Sequence, residues 1–180
     1  MIRLLKTMYF TDSTKKGDDG LYYVRSYTDD KKKIYLQFND VNVVNVDKDG
    51  DFTFIVNEND TGRIDEINKK AVSTAIEKSE NWFGKKLNDK TITSAYTSDK
   101  NISSEFINGV TKAFNHEKDM INIEEIYNVD KCSVIVEFYG LWFAKKNFGP
   151  IWKLVQVRLH PPRDDEDEDV YPENYMFDDQ

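Results

Sequence analysis

Cysteine, histidine and long apolar runs are what this chain most lacks. Its single cysteine, Cys132, excludes an intramolecular disulfide framework, which fits a reducing, intracellular compartment. Its two histidines, His116 and His160, together with that cysteine cannot supply the four ligands of a zinc site. There is no apolar run of about 18 residues, so no membrane-spanning helix and no membrane partner are expected. The first stretch, MIRLLKTMYFTDSTKK, lacks the apolar region and small-residue cleavage site of a secretory leader. A glycine-rich phosphate loop, a Gly-x-Ser-x-Gly elbow and a His-Glu-x-x-His pair are all absent. No acid, base and nucleophile can be named as a set. The expectation is therefore a non-enzymatic protein with no metal or cofactor. Asn45–Phe52 imitates the start of a calcium loop, but its twelfth ligand position, counted from Asn45, would be Val56, and the flanks read as strands.

Base is also missing from the C-terminus. From Asp164 to Gln180 there are nine acids and no lysine or arginine, which leaves 24 of the 33 acids against all 25 bases elsewhere. The net charge of −8 is thus carried by a detachable block, and the body is close to neutral. Asp164, Asp165, Glu166, Asp167, Glu168 and Asp169 are consecutive and repel one another. This composition buries little apolar area and predicts a disordered tail over 163–180, after a single β-rich domain over 1–162.

What is present is mostly strand. Ile34, Leu36 and Phe38 alternate with Tyr35 and Gln37. Val41–Val46 and Phe52–Val56 are rich in β-branched residues and flank Asp-Gly, a hairpin signal. Leu21–Tyr27 reads as a short aromatic strand after a TDSTKKGDDG loop. Ile64, Ile67, Ala71 and Ala75 predict a helix over Arg63–Ser79, capped by Asp60 or Thr61 and stopped near Gly84. Thr91–Thr97 suggests another strand, and Ser103–Val110 a short helix that Gly109 argues against. Cys132–Leu159 forms a long hairpin turning at Lys145–Pro150. On its alternation Cys132, Val134, Val136, Phe138 and Trp142 share a face. The class is mainly β or α+β: an OB-like small barrel with an inserted helix and a long C-terminal hairpin.

Aromatic and basic residues interleave at two places. Trp82-Phe83 is followed by Lys85 and Lys86. Trp142-Phe143 is followed by Lys145, Lys146, Phe148, Trp152, Lys153 and Arg158. Aromatic faces take unpaired bases without regard to sequence, and the cations beside them neutralise phosphates. Phe143 and Phe148, beside the turn lysines, are the expected exposed stackers. Trp82, Trp142 and Trp152 have core positions as their alternative.

The shape G-L-W-F…F-G…W-K-L-V-Q-V-R over Gly140–Arg158 resembles the C-terminal core of the phage-type single-stranded-DNA-binding proteins found in large nucleocytoplasmic DNA viruses. The resemblance implies an OB-fold body and an acidic tail ending near an aromatic residue, here Phe177. It implies sequence-independent coating of single strands in viral DNA replication, tail contacts with replication proteins, and self-association into a homo-oligomer. The functional expectation is thus a protein that binds single-stranded DNA or RNA, whose tail competes for the groove. The alternative is a structural or interaction protein such as a minor virion component, which the near-neutral body favours.

Overall fold

Ile34, Leu36 and Phe38 are buried while Tyr35 and Gln37 point outward, the alternation their sequence lays down. In the computed structural model, which describes residues 7–47 and 50–162, this run continues as one strand, β4 (Ile34–Val46). The sequence pattern divides it at Asn39–Asp40. Asp40 instead takes a left-handed φ of 54° and one extra residue bulges there, so the strand bends without ending. Before it lie β1 (Tyr9–Phe10), β2 (Lys15–Lys16) and β3 (Tyr22–Tyr27). The loop expected over TDSTKKGDDG therefore contains a strand, held by pairing to β3.

β5 (Asp51–Ile55) pairs with β4 as a hairpin, where the Asp47 N–H donates to the Asp51 carbonyl at 2.8 Å; Asp49 of the expected Asp-Gly turn lies outside the described residues. Three helices follow: α1 (Glu58–Glu77), α2 (Ser79–Phe83) and α3 (Asp89–Ala95). α1 begins earlier than expected, with Asn57 at its N-cap, and buries Ile67, Ala71, Thr74 and Ala75. Gly84, at a left-handed φ of 70°, ends α2. α3 stands where Thr91–Thr97 suggests a strand. The Asn88 side chain accepts the Thr91 N–H and starts a helix that buries Ile92, so the cap and the packing outweigh two β-branched threonines.

Instead of a helix over Ser103–Val110 there is β6 (Ile102–Phe106), followed by β7 (Lys112–Phe114), β8 (Met120–Ile121) and a 3-10 turn over Ile123–Asn128. The hairpin strands are β9 (Lys131–Phe143) and β10 (Phe148–Leu159). Its tip is tighter than expected, with the Ala144 N–H donating to the Asn147 carbonyl at 2.8 Å.

Five strands close on themselves in the order β4-β5-β6-β10-β9 and back to β4. Every pair is antiparallel except β6 with β10. This is a closed OB-like barrel, filled by Phe38, Phe52, Phe54, Val136, Phe138 and Leu154. β9 is its hub: β4 pairs with its first part, β3 with its last. The handover occurs at Gly140, whose φ is 149° and where a Cβ would lie 1.9 Å from the Val24 carbonyl oxygen. Only glycine lets β3 approach there. No helix among the described residues is long and apolar enough to cross a membrane, and the acidic segment from Asp164, with Phe177, lies outside them.

Candidate nucleic-acid interface

The hairpin register decides which rings are available. Ile151 pairs with Gly140 but Trp152 pairs with Phe138, so Tyr139 is an extra residue on β9. One extra residue reverses the facing of all that follow. Leu141 and Phe143 therefore join Phe138 inside, and Trp142 turns outward, the reverse of the unbroken alternation. A second bulge at Val155 puts both Leu154 and Val157 inside.

Most of the aromatic residues read as stackers are core. Trp82, Phe143, Phe148 and Trp152 are at most 5% exposed, so none offers a face to a base. The reason lies in the helical insertion. Phe143 and Phe148 stack on each other (5.3 Å, 2°), Trp82 and Phe83 of α2 pack edge-on against Phe143, and Tyr96 packs against Phe148. The Trp82 indole N–H donates to the Thr11 carbonyl at 3.2 Å. The α2 rings and Tyr96 thus roof the end of the barrel, which hairpin periodicity alone cannot report. Trp142 is partly exposed and lines a crevice of about 230 Å³ with Asn68, Ser98 and Pro150.

The expected cations divide as well. Lys85, Lys86, Lys145 and Lys146 are exposed in loops. Lys153 faces a cleft of about 580 Å³. Arg158 lies five residues further along β10, opposite Ser133, and lines a different pocket.

The cleft at Lys153 is built largely of residues not singled out from sequence. β2 contributes Lys15 and Lys16, β3 contributes Tyr23, Arg25 and Tyr27, and Tyr139 projects from the β9 bulge. β3 alternates: Val24 and Ser26 face the core while Tyr23, Arg25 and Tyr27 face out. The cleft thus lies on the outer wall of the barrel. The clue in the sequence was Lys15-Lys16 followed by Tyr-x-Arg-x-Tyr, a half-buried strand with its polar face made of rings and a cation.

The Arg25 guanidinium lies 3.6 Å from the centroid of the Tyr139 ring, and the Lys153 ammonium 4.0 Å from the same centroid. Behind them Glu137 is buried, its carboxylate 3.6 Å from Arg25 and 3.3 Å from Lys33. Lys153 stands 4.0 Å from Glu105. Lys15 and Lys16 are exposed and have no ion-pair partner among the described residues. The Tyr23 hydroxyl donates to Asp19, whose carboxylate also accepts the Leu21 N–H at 3.0 Å. Burial first, and then the bond to Asp19, push the Tyr23 phenol up to about 12. That hydrogen bond, with the one from Leu21, holds the Asp19 carboxyl below its ordinary value. At neutral pH Tyr23 is therefore an uncharged ring. Gly17 sits so close that a Cβ there would meet the ring at 2.6 Å, which keeps the ring in place. Tyr35, 50% exposed, stands beside Glu137 on the same wall.

His160 meets Asp40 at 3.1 Å and Ser133 at 3.3 Å, both through Nε2. A nucleophilic relay needs the two partners on different ring nitrogens, so the trio is not arranged as one. No group of three or more metal-ligating side chains occurs among the described residues.

Comparison with known proteins gives a single-stranded DNA-binding protein from bacteriophage Enc34, solved in complex with ssDNA. It is 12% identical, with a TM-score of 0.45, over 83% of this chain and 95% of that one. No curated protein matches. Neither match bears the name of a large DNA virus. The model that matches by sequence, over residues 39–179, is described as a family of unknown function, DUF5871, and the chain belongs to that family.

Proposed function

We propose that this protein binds single-stranded nucleic acid, DNA in the first instance, without regard to sequence and without catalysing a reaction. The supporting observation is the outer-wall cleft, where Lys15, Lys16, Arg25 and Lys153 surround Tyr23, Tyr27 and Tyr139. Rings next to cations on an OB-like barrel are the arrangement that stacks bases and neutralises the phosphates between them. Lys145 and Lys146 extend it: Lys16 pairs with Tyr22 and Tyr22 with Phe143, and the hairpin loop starts at the next residue. The acidic segment from Asp164 to Asp169, with Phe177, competes for these cations and recruits replication partners. Its support is compositional: six consecutive acids, nine in all from Asp164 to Gln180, and no base.

The test is fluorescence anisotropy of labelled oligo(dT) at about 50 mM salt, with the full chain and with residues 164–180 removed. Both forms bind, the shortened one more tightly. Tyr23→Ala weakens binding about fivefold or more, as loss of one stacked base requires, and Trp152→Phe, a core change, leaves it unaltered. Failure of the shortened form to bind would sink the proposal. The rival reading, a structural or interaction protein, has one observation in its favour: Arg158 lies apart from the cleft that holds Lys153.

A further inference from the structure

That separation has a use of its own. Arg158 opens onto a second pocket, of about 280 Å³, on the outward side of the same two hairpin strands. Ile135 and Phe114 supply apolar wall, and Gln37 and Gln156 supply amides. By register Gln37, Ile135 and Gln156 stand abreast on β4, β9 and β10, and Arg158 is one step beyond, beside Phe114 of β7. Lys118 closes the far side. It is a non-glycine residue at φ 75°, held in the β7–β8 turn by its own N–H to the Asn115 carbonyl (3.2 Å) and by the Asp119 N–H to Asn115 Oδ1 (2.9 Å). Neither Arg158 nor Lys118 has an ion-pair partner among the described residues.

Two amides facing a flat apolar wall suit the edge and face of one nucleobase, and two unpaired cations suit its phosphate. The first cleft lies on the same wall: the row of Tyr35, Glu137 and Lys153 immediately precedes the row of Gln37, Ile135 and Gln156. From Lys153 to Arg158 the strand covers about 17 Å, at about 3.3 Å per residue, short enough for a site of four or more nucleotides to reach both.

We propose that the pocket at Arg158 receives one unstacked base and its phosphate, as the far end of a strand laid along the β9–β10 wall. This rests on the nucleic-acid reading above and adds a minimum length to it.

The experiment is an oligo(dT) length series, from two to twelve nucleotides on the estimate that a single OB fold covers about 4–16, read by anisotropy or by competition. Wild-type protein shows a step in affinity of about fivefold or more at the length that reaches the pocket. Gln156→Trp, a filling change at an exposed position, and Arg158→Ala each remove the step and keep wild-type affinity for shorter oligomers. An oligomer with an abasic residue at the end that reaches the pocket also loses the step. A step that persists in both variants overturns the proposal while leaving the cleft reading intact. No binding at any length removes both. Free thymidine monophosphate binds too weakly to saturate; saturation at micromolar concentration would make this a nucleotide site separate from the strand, and would equally overturn it.

Discussion

Replacing Lys15 and Lys16 together by glutamine removes two exposed cations and, on the proposed reading, two phosphate contacts. Of the cleft cations, Arg25 is committed to Glu137 at 3.6 Å, whereas Lys153 is 4.0 Å from a half-exposed Glu105, a pair that solvent weakens. Lys15 and Lys16 are thus the cleft charges with no ion-pair partner among the described residues. Each phosphate neutralised on a single strand contributes about −0.7 to the slope of log K against log salt, so losing two contacts flattens the slope by about 1.4, whatever the loop lysines and Arg158 add. Between about 50 and 200 mM salt the wild type should lose about sevenfold more affinity than the double variant. The assay is anisotropy of oligo(dT) at four or more salt concentrations, using protein without residues 164–180, so that the acids do not contribute their own salt dependence. Both positions lie on an exposed two-residue strand, so the fold should survive, and a thermal melt checks this. Parallel salt slopes for the two proteins would refute the reasoning, even if the variant bound more weakly.

Gly140→Ala places a Cβ against the Val24 carbonyl at a φ of 149°. It should cost roughly 3 kcal/mol or more in urea unfolding, or abolish soluble expression, and a loss under about 1 kcal/mol would contradict the close approach of β3. Glu137→Gln takes the shared counter-charge from Arg25 and Lys33. Both cations are partly solvated, so stability should fall by only about 1–2 kcal/mol while oligo(dT) binding tightens; weaker binding would argue against a cationic site here. Burial pushes the Cys132 thiol from 9.0 up to about 12, and it raises the Tyr96 phenol as well. Because these folded-state values are raised, their contribution is complete below pH 9 and is lost as pH climbs from about 9 towards 12. The melting temperature should therefore hold from pH 6 to pH 8 and decline above about 9. Cys132 should resist iodoacetamide at pH 8 until denaturant is added, and prompt labelling of the native protein would contradict its burial.

Local pattern was enough for four of the five barrel strands and missed β6, which stands where Ser103–Val110 suggests a helix. Ile34 to Phe38, the Asp-Gly turn and the run from Cys132 to Phe138 announce themselves because a strand with one buried face must alternate. The stripe of Ile67, Ala71 and Ala75 announces α1 in the same way. Composition alone separates an acid block from a nearly neutral body. The facing of the rings near the hairpin tip was beyond local pattern. A single extra residue at Tyr139 inverts everything after it, and that bulge lies next to Gly140, where β3 arrives from over a hundred residues away in the chain. The burial of Phe143 and Phe148 was set by helices from a different part of the chain. The candidate site was equally hidden, since Lys15 and Lys153 come from opposite ends of the sequence and meet only because β3 and β10 flank β9. Periodicity determines which side of a strand is apolar, and only the closed barrel decides which outward side chains share a cleft.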